Sequence, residues 1–194
     1  MKWLDVFLGR TRFATAADDN LLKLSSVADD IHFRLQSDYA AETALVIRRV
    51  DNAAYEHIEE DLQMCLSLGG RAMPTTVRST NDGQGWHWII LTGTALDDTL
   101  NGMHLAADLL TQSGYGDGLL AALIAFSPRW FLVYNYARAA FYPFVPLPDY
   151  RRNEAREIRI AATLKPWLPV ENDINRWYAL WNPPFSFSQS APPT

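Results

Sequence analysis

The sequence contains few of the residues on which catalysis and metal binding most often depend. Its single cysteine, Cys65, cannot form a disulfide within the chain. No His-Glu-x-x-His, Cys-x-x-Cys or His-x-His spacing occurs, and such spacings are what place several ligands on one metal ion. We therefore predict no metal site and no cofactor. The histidines are spread over different predicted elements: His32, His57, His87 and His104.

An excess of basic residues and a long apolar run are also missing. The 17 basic and 22 acidic residues give a net charge of −5, so we expect no nucleic-acid partner, because phosphate backbones bind to basic surfaces. The longest uninterrupted apolar run, Leu119–Phe126, is far shorter than the roughly 20 residues that span a bilayer. No secretory leader pattern opens the sequence. These features predict a cytoplasmic protein that could contact a membrane only peripherally.

Aromatic residues are abundant instead, with seven Trp, eight Tyr and nine Phe. Most are expected in the core, because each ring buries about 150–250 Å². The most distinctive segment, Gly114–Pro146, is largely apolar and holds a single carboxylate, Asp117. Its first glycines follow a predicted helix and lack the Gly-Lys-Ser/Thr ending of a phosphate loop, so they predict a helix stop. This composition favours binding over proton transfer, and we predict no catalytic residue and no enzymatic activity.

An enzymatic function is the remaining alternative. His104 and Asp108 lie four residues apart on one predicted helix, where they could orient one another. A catalytic site would need a further ionisable group in the same cleft. Without it, the two residues form a surface pair.

Hydrophobic periodicity predicts the element order α-β-α-β-β-α-β-β-α. This order is typical of an α+β fold, here a single, mostly antiparallel sheet with helices packed on one side. By analogy alone, the arrangement is similar to the small secretion-chaperone fold. We predict an amphipathic N-terminal segment at 1–12, a single α+β domain at 13–185 and a disordered tail at 186–194. The predicted helices include 18–36, 53–68, 94–113 and 154–164, and the predicted strands are 44–50, 75–80, 85–92, 119–126, 130–136 and, as a further strand, 139–145.

Two aromatic segments near the ends of the chain are candidates for partner binding. The first is the apolar face of a short N-terminal helix: Trp3, Leu4, Phe7 and Leu8. That helix could lie at a membrane interface, dock on a partner or fold back onto the domain's own core. The second is Arg176, Trp177 and Trp181, whose residue types dominate interface energetics. For them, too, packing onto the protein's own core is the alternative.

A groove between the sheet and its helices is a further candidate site. Trp86 and Trp88 lie on one face of the predicted strand 85–92, and Trp130 opens another predicted strand. If all three side chains lined one groove, it would suit a small molecule or a peptide. A binding module of this kind is the alternative to a protein that binds a protein partner.

Four segments together resemble the PspA-associated protein PspAB family. They are Phe7–Thr11 (FLGRT), Gly114–Phe126 (GYGDGLLAALIAF), Tyr134–Pro146 (YNYARAAFYPFVP) and Arg176–Phe185 (RWYALWNPPF). They occur in the expected order along nearly the whole chain, while the stretch between residues 20 and 80 is similar in pattern only. The family pattern has Gly-x-Pro near the C-terminus, where this chain has Asn182-Pro183-Pro184.

The resemblance implies a link to phage-shock-type envelope stress, in which PspA coats stressed membranes. Members accompany PspA or a membrane metalloprotease, and the resemblance implies no catalytic residues. We therefore expect a non-enzymatic accessory protein that binds a PspA-like or membrane-protease-associated partner. The binding would take place in the cytoplasm or at the inner membrane face.

Overall fold

The computed structural model describes residues 20–50, 55, 57, 60–64 and 76–186. The predicted N-terminal helix, Cys65 and residues 187–194 lie outside these ranges. The roles suggested for Trp3, Leu4, Phe7 and Leu8 therefore stay predictions.

Within these ranges the helices and strands follow the predicted order, and two short strands that were not predicted precede the last helix. The helical elements are a 3₁₀ helix at Lys23–Val27, α1 at Ala28–Leu35, α2 at Leu96–Gln112, α3 at Glu154–Leu164 and two 3₁₀ helices at Gly116–Gly118 and Ile174–Arg176. Residues 60–64 are also helical. The strands are β1 at Tyr39–Arg48, β2 at Thr76–Asn81, β3 at Trp86–Thr92, β4 at Leu119–Phe126, β5 at Trp130–Asn135, β6 at Ala140–Phe144, β7 at Pro146–Leu147 and β8 at Arg151–Arg152.

Local chemistry explains several of these boundaries. Asp82 holds the β2–β3 turn, because its Oδ1 accepts hydrogen bonds from the backbone N–H groups of Gln84 and Trp86, both at 2.9 Å. Gly114 follows the end of α2 with φ of +86°, a conformation that favours glycine, which confirms the predicted helix stop. Asn153 caps α3 with its side chain, as expected of an N-cap asparagine.

Six strands form one antiparallel sheet in the order β2-β3-β1-β4-β5-β6, and β7 and β8 form a separate two-stranded ribbon. Every neighbouring pair in the large sheet is antiparallel. The register of β1 against β4 shifts between Val46 and Ile47. The predicted α+β class with a mostly antiparallel sheet is thus confirmed, and both predicted hairpins are present.

Apolar side chains fill both faces of the sheet. The first face packs against the helices, through residues such as Leu24, Met103 and Leu164. The second face carries its own buried cluster, which among helical residues includes Ala161 of α3. Its main cover is the irregular segment at 177–186, which we call the strap. The helices therefore cover mainly one face of the sheet, and the strap covers the other. The analogy to a secretion chaperone stays a prediction.

Candidate functional site

The strap is pressed onto the second face of the sheet by apolar side chains. Trp177, Leu180 and Phe185 are all buried, and Phe185 is 0 % exposed. The Phe185 ring packs on Phe131 of β5, with 5.7 Å between ring centroids. The Trp177 indole Nε1 donates a hydrogen bond to the Glu171 carbonyl at 3.0 Å.

These contacts favour the alternative interpretation of Trp177. Its buried ring packs onto the protein's own core, which was the alternative. Trp181 is half-buried and packs edge-on against Phe144 and Tyr150, with centroids 5.0 and 5.6 Å away. Arg176 is also half-buried, and its Nε lies 3.1 Å from Asp173 Oδ2.

A buried ion pair fixes the beginning of the strap, and we call it the first anchor. The Glu157 side chain on α3 is 2 % exposed, and its Oε2 lies 2.7 Å from Arg152 Nε. Glu157 Oε1 accepts the backbone N–H of Val145 at 2.7 Å. Arg152 Nη1 donates to the Trp177 carbonyl at 2.7 Å. One carboxylate and one guanidinium thus join α3, the end of β6, β8 and the strap.

A second ion pair, the second anchor, fixes the end of the strap. Glu42 on β1 is buried, and its Oε1 lies 3.2 Å from Arg78 Nη2 on β2. The same oxygen accepts the backbone N–H of Ser186 at 3.1 Å, and Arg78 also donates to the Pro184 carbonyl. The strap is therefore held by charge-assisted hydrogen bonds at both ends, and Ser186, the first residue of the predicted tail, takes part in one of them.

Replacement of Arg78 by methionine is expected to lower the free energy of unfolding by about 2 kcal/mol. The change leaves the Glu42 carboxylate buried beside a side chain that cannot donate to it. Urea denaturation measures the effect. Arg151→Met is the matched control, because Arg151 is exposed and its Nε lies a long 3.4 Å from the Pro148 carbonyl, so the change should cost about 0.5 kcal/mol or less. Equal losses in the two variants would contradict the second anchor.

A cavity of about 260 Å³ lies between the strap and the β2–β3 hairpin. Its lining residues are Asp82, Gln84, Trp86, Trp88, Tyr178, Ala179, Leu180 and Trp181. Trp86 and Trp88 are buried, and the Trp88 indole Nε1 donates to Asp82 Oδ2 at 2.9 Å. Two of the three tryptophans predicted to line a groove therefore line one cavity, but it lies beneath the strap and not between the sheet and its helices, where the groove was predicted.

Trp130 does not belong to this cavity, so the prediction that three tryptophans share one groove was wrong. Trp130 is 0 % exposed and lies in the cluster on the helix side of the sheet. It stacks on Phe126 with ring centroids 4.6 Å apart, and its indole Nε1 donates to Ser37 Oγ at 3.0 Å. Trp86 and Trp88 lie in the cluster on the opposite face, so the sheet lies between them and Trp130.

A second surface feature lies on the solvent side of α3, where apolar and basic side chains are exposed together. We call it the α3 outer face and define it as Ile158, Arg159, Ala162, Lys165 and Trp167. Ile158 is 53 % exposed, and the Arg34 guanidinium of α1 lies 5.1 Å from the centre of the Trp167 ring. The sequence analysis did not identify this face. The signal for it was Ile158, an apolar residue at a position of α3 where the helical period predicts a polar one.

The histidines lie on separate elements and pair with local partners. His32 Nδ1 lies 2.7 Å from Asp38 Oδ1, and the buried His87 Nδ1 lies 2.9 Å from Asn81 Oδ1. His104 Nε2 is 3.6 Å from Asp108 Oδ2, both partly exposed on α2.

The described ranges contain neither a metal-binding cluster nor a helix that could span a membrane. No group of three or more His, Cys, Asp or Glu side chains there is placed to hold a metal ion. In the same ranges, no helix combines the length and the apolar character needed to cross a membrane.

Comparison with known proteins places the chain in a family. No curated protein and no solved structure matches it. A family model described as PspA associated protein B matches residues 1–185. That match covers nearly the whole chain, including α3, the cavity and the strap as far as Phe185, and the protein therefore belongs to the PspA associated protein B (PspAB) family.

Proposed function

We propose that this protein is a non-enzymatic accessory protein that binds PspA in a phage-shock-type envelope stress response. The observation that carries the proposal is the family match over residues 1–185, because the family is described by its association with PspA. The binding would take place in the cytoplasm or at the inner membrane face. The four histidines lie on separate elements, and each lies beside a local partner rather than in a common cluster, which supports the non-enzymatic part of the proposal.

The α3 outer face is the surface we propose for this contact. Trp and Arg are enriched among residues that dominate binding energy, and this face presents Trp167, Arg159 and Ile158 to solvent on one helix and its end. Trp177, by contrast, is buried in the strap and contributes to stability instead. Residues 1–12 are a second proposed contact, with the partner or with lipid, since their apolar and basic residues suit either.

Co-purification with PspA tests the proposal. Intact tagged protein is expected to retain PspA above the level held by an unrelated bait. Ile158→Glu is expected to lower the retained PspA at least about tenfold, because it places a charge at the centre of the contact. Ile174→Glu is the matched control, since Ile174 is 58 % exposed and lies outside the α3 outer face.

Three outcomes separate the parts of the proposal. Failure of the intact protein to enrich PspA would refute the function itself. Equal retention by the two isoleucine variants would refute the α3 outer face as the contact. A chain without residues 1–12 is a third arm, and full retention by it would remove that segment from the PspA contact.

The cavity under the strap favours a second candidate function, a small-molecule or peptide-binding module. Its aromatic lining and the two polar residues at its edge, Asp82 and Gln84, are features of ligand sites. Such binding is compatible with association with PspA, because the cavity and the α3 outer face share no residue.

A further inference from the structure

The cavity beneath the strap combines aromatic rings with one negative charge. Three indoles and a phenol contribute to its lining, and among the described residues that line it Asp82 alone has a carboxylate or a basic group. Aromatic rings attract cations over their faces, and aromatic cages are the usual sites for quaternary ammonium groups. The lining therefore favours a positively charged occupant over a neutral or an anionic one.

The hydrogen bonds of Asp82 hold its charge at the cavity. Its two carboxylate oxygens accept from the backbone N–H groups of Gln84 and Trp86 and from the Trp88 indole. All three donors are neutral, so they fix the carboxylate without cancelling its charge. Among the ion pairs formed within residues 20–50, 55, 57, 60–64 and 76–186, none involves Asp82. Arg48 pairs with Trp86 in the register of β1 and β3 and is therefore a nearby positive charge, but it is not among the residues that line the cavity.

The size of the cavity limits the occupant. A volume of about 260 Å³ falls just below the roughly 300–1,000 Å³ of sites that enclose drug-sized ligands. A volume of this size suits a compact headgroup better than a nucleotide or a long peptide.

We propose that this cavity binds a small organic cation of the quaternary ammonium type. Trp86 and Trp88 contribute the side of the site that belongs to the sheet, Tyr178 and Trp181 contribute the side that belongs to the strap, and Asp82 supplies the opposite charge. The site is independent of PspA association, because different residues carry it.

Titration of the intact protein with choline and with 3,3-dimethyl-1-butanol tests the proposal. The second compound is a neutral analogue of the same shape, so the two separate charge recognition from apolar filling. Isothermal titration calorimetry is expected to show choline binding at least about tenfold more tightly, since cation–π attraction and a carboxylate both favour the charged probe. The indole N–H resonances of Trp86 and Trp88 are expected to shift with choline.

Two substitutions locate the site. Trp181→Leu removes a ring of the strap and is expected to weaken choline binding at least about fivefold, whereas Trp167→Leu removes a ring outside the cavity and leaves binding unchanged. Asp82→Asn is expected to abolish the preference for choline over the neutral analogue. Thermal unfolding checks each variant, and if Asp82→Asn does not fold, the two tryptophan variants still decide the question.

Vesicles identify the source of the cation. Flotation with phosphatidylcholine vesicles but not with phosphatidylglycerol vesicles would assign the group to a lipid headgroup. Binding of soluble choline without flotation would assign it to a free small molecule. The proposal is overturned if the two probes bind with equal affinity, if neither binds, or if Trp181→Leu and Trp167→Leu behave alike.

Discussion

Replacement of Glu157 by glutamine is expected to lower the free energy of unfolding by about 3–4 kcal/mol. Glutamine keeps the shape of the side chain and can still accept the Val145 N–H, but it removes the charge opposite Arg152. The Arg152 side chain is 20 % exposed, so its guanidinium would remain largely buried without its counter-charge. Removing one partner of a buried ion pair is costly for this reason. Urea denaturation followed by circular dichroism measures the loss.

Glu154→Gln is the matched control for this prediction. Glu154 lies in the first turn of the same helix but is exposed to solvent. Its loss removes only a favourable interaction with the helix dipole, so we expect a change within about 0.5 kcal/mol. A Glu157 variant as stable as the Glu154 variant would show that the first anchor contributes little to holding the strap.

The strands and hairpins could be predicted because their signals are local. Asn81-Asp82-Gly83 between two β-rich runs specifies a tight turn, and the structure confirms it with Asp82 bonded to the backbone of that turn. The apolar run of β4, followed by Ser127-Pro128 and the aromatic run of β5, similarly predicts a hairpin. Neighbouring residues determine these features, so a single sequence reveals them.

The face on which Trp130 lies could not be predicted, because it depends on strand register. Trp88 and Trp130 are separated in the sheet by β1 and β4, so their relative orientation depends on three successive pairings. One of these, β1 against β4, contains a register shift between Val46 and Ile47. A shift of one residue moves every following side chain to the other face. Periodicity within a strand contains no information about such a shift.

The packing of the strap could not be predicted either, because most of the residues that it contacts are distant in sequence. Arg176, Trp177 and Trp181 were candidates for partner binding by residue type alone, and only the fold shows that the Trp177 ring is buried. The hydrogen bond from Ser186 to Glu42 joins residues 144 positions apart. Glu157 looks like an ordinary helix carboxylate until the fold places Arg152 beside it.

Phe185→Ala is expected to lower the free energy of unfolding by about 3–5 kcal/mol, the usual cost of truncating a buried phenylalanine. Phe185 is fully buried against Phe131, and it lies beside the second anchor near the end of the strap. Its loss leaves a void between the strap and β5 that the sheet cannot fill by collapsing, because the strands are fixed by their hydrogen bonds. Urea denaturation measures the loss of stability.

A second measurement separates a loosened strap from a general loss of stability. If the strap covers the second face of the sheet, Phe185→Ala is expected to increase the binding of a dye that reports exposed apolar surface, in the absence of denaturant. Phe33→Ala is the matched control, because Phe33 is 77 % exposed and its truncation should change neither stability nor dye binding appreciably. The prediction is contradicted if the Phe185 variant unfolds at the same urea concentration as the Phe33 variant and binds no more dye. The apolar face would then be protected without the strap. In that case the cavity and its proposed cation site would not depend on the packing of the strap against the sheet.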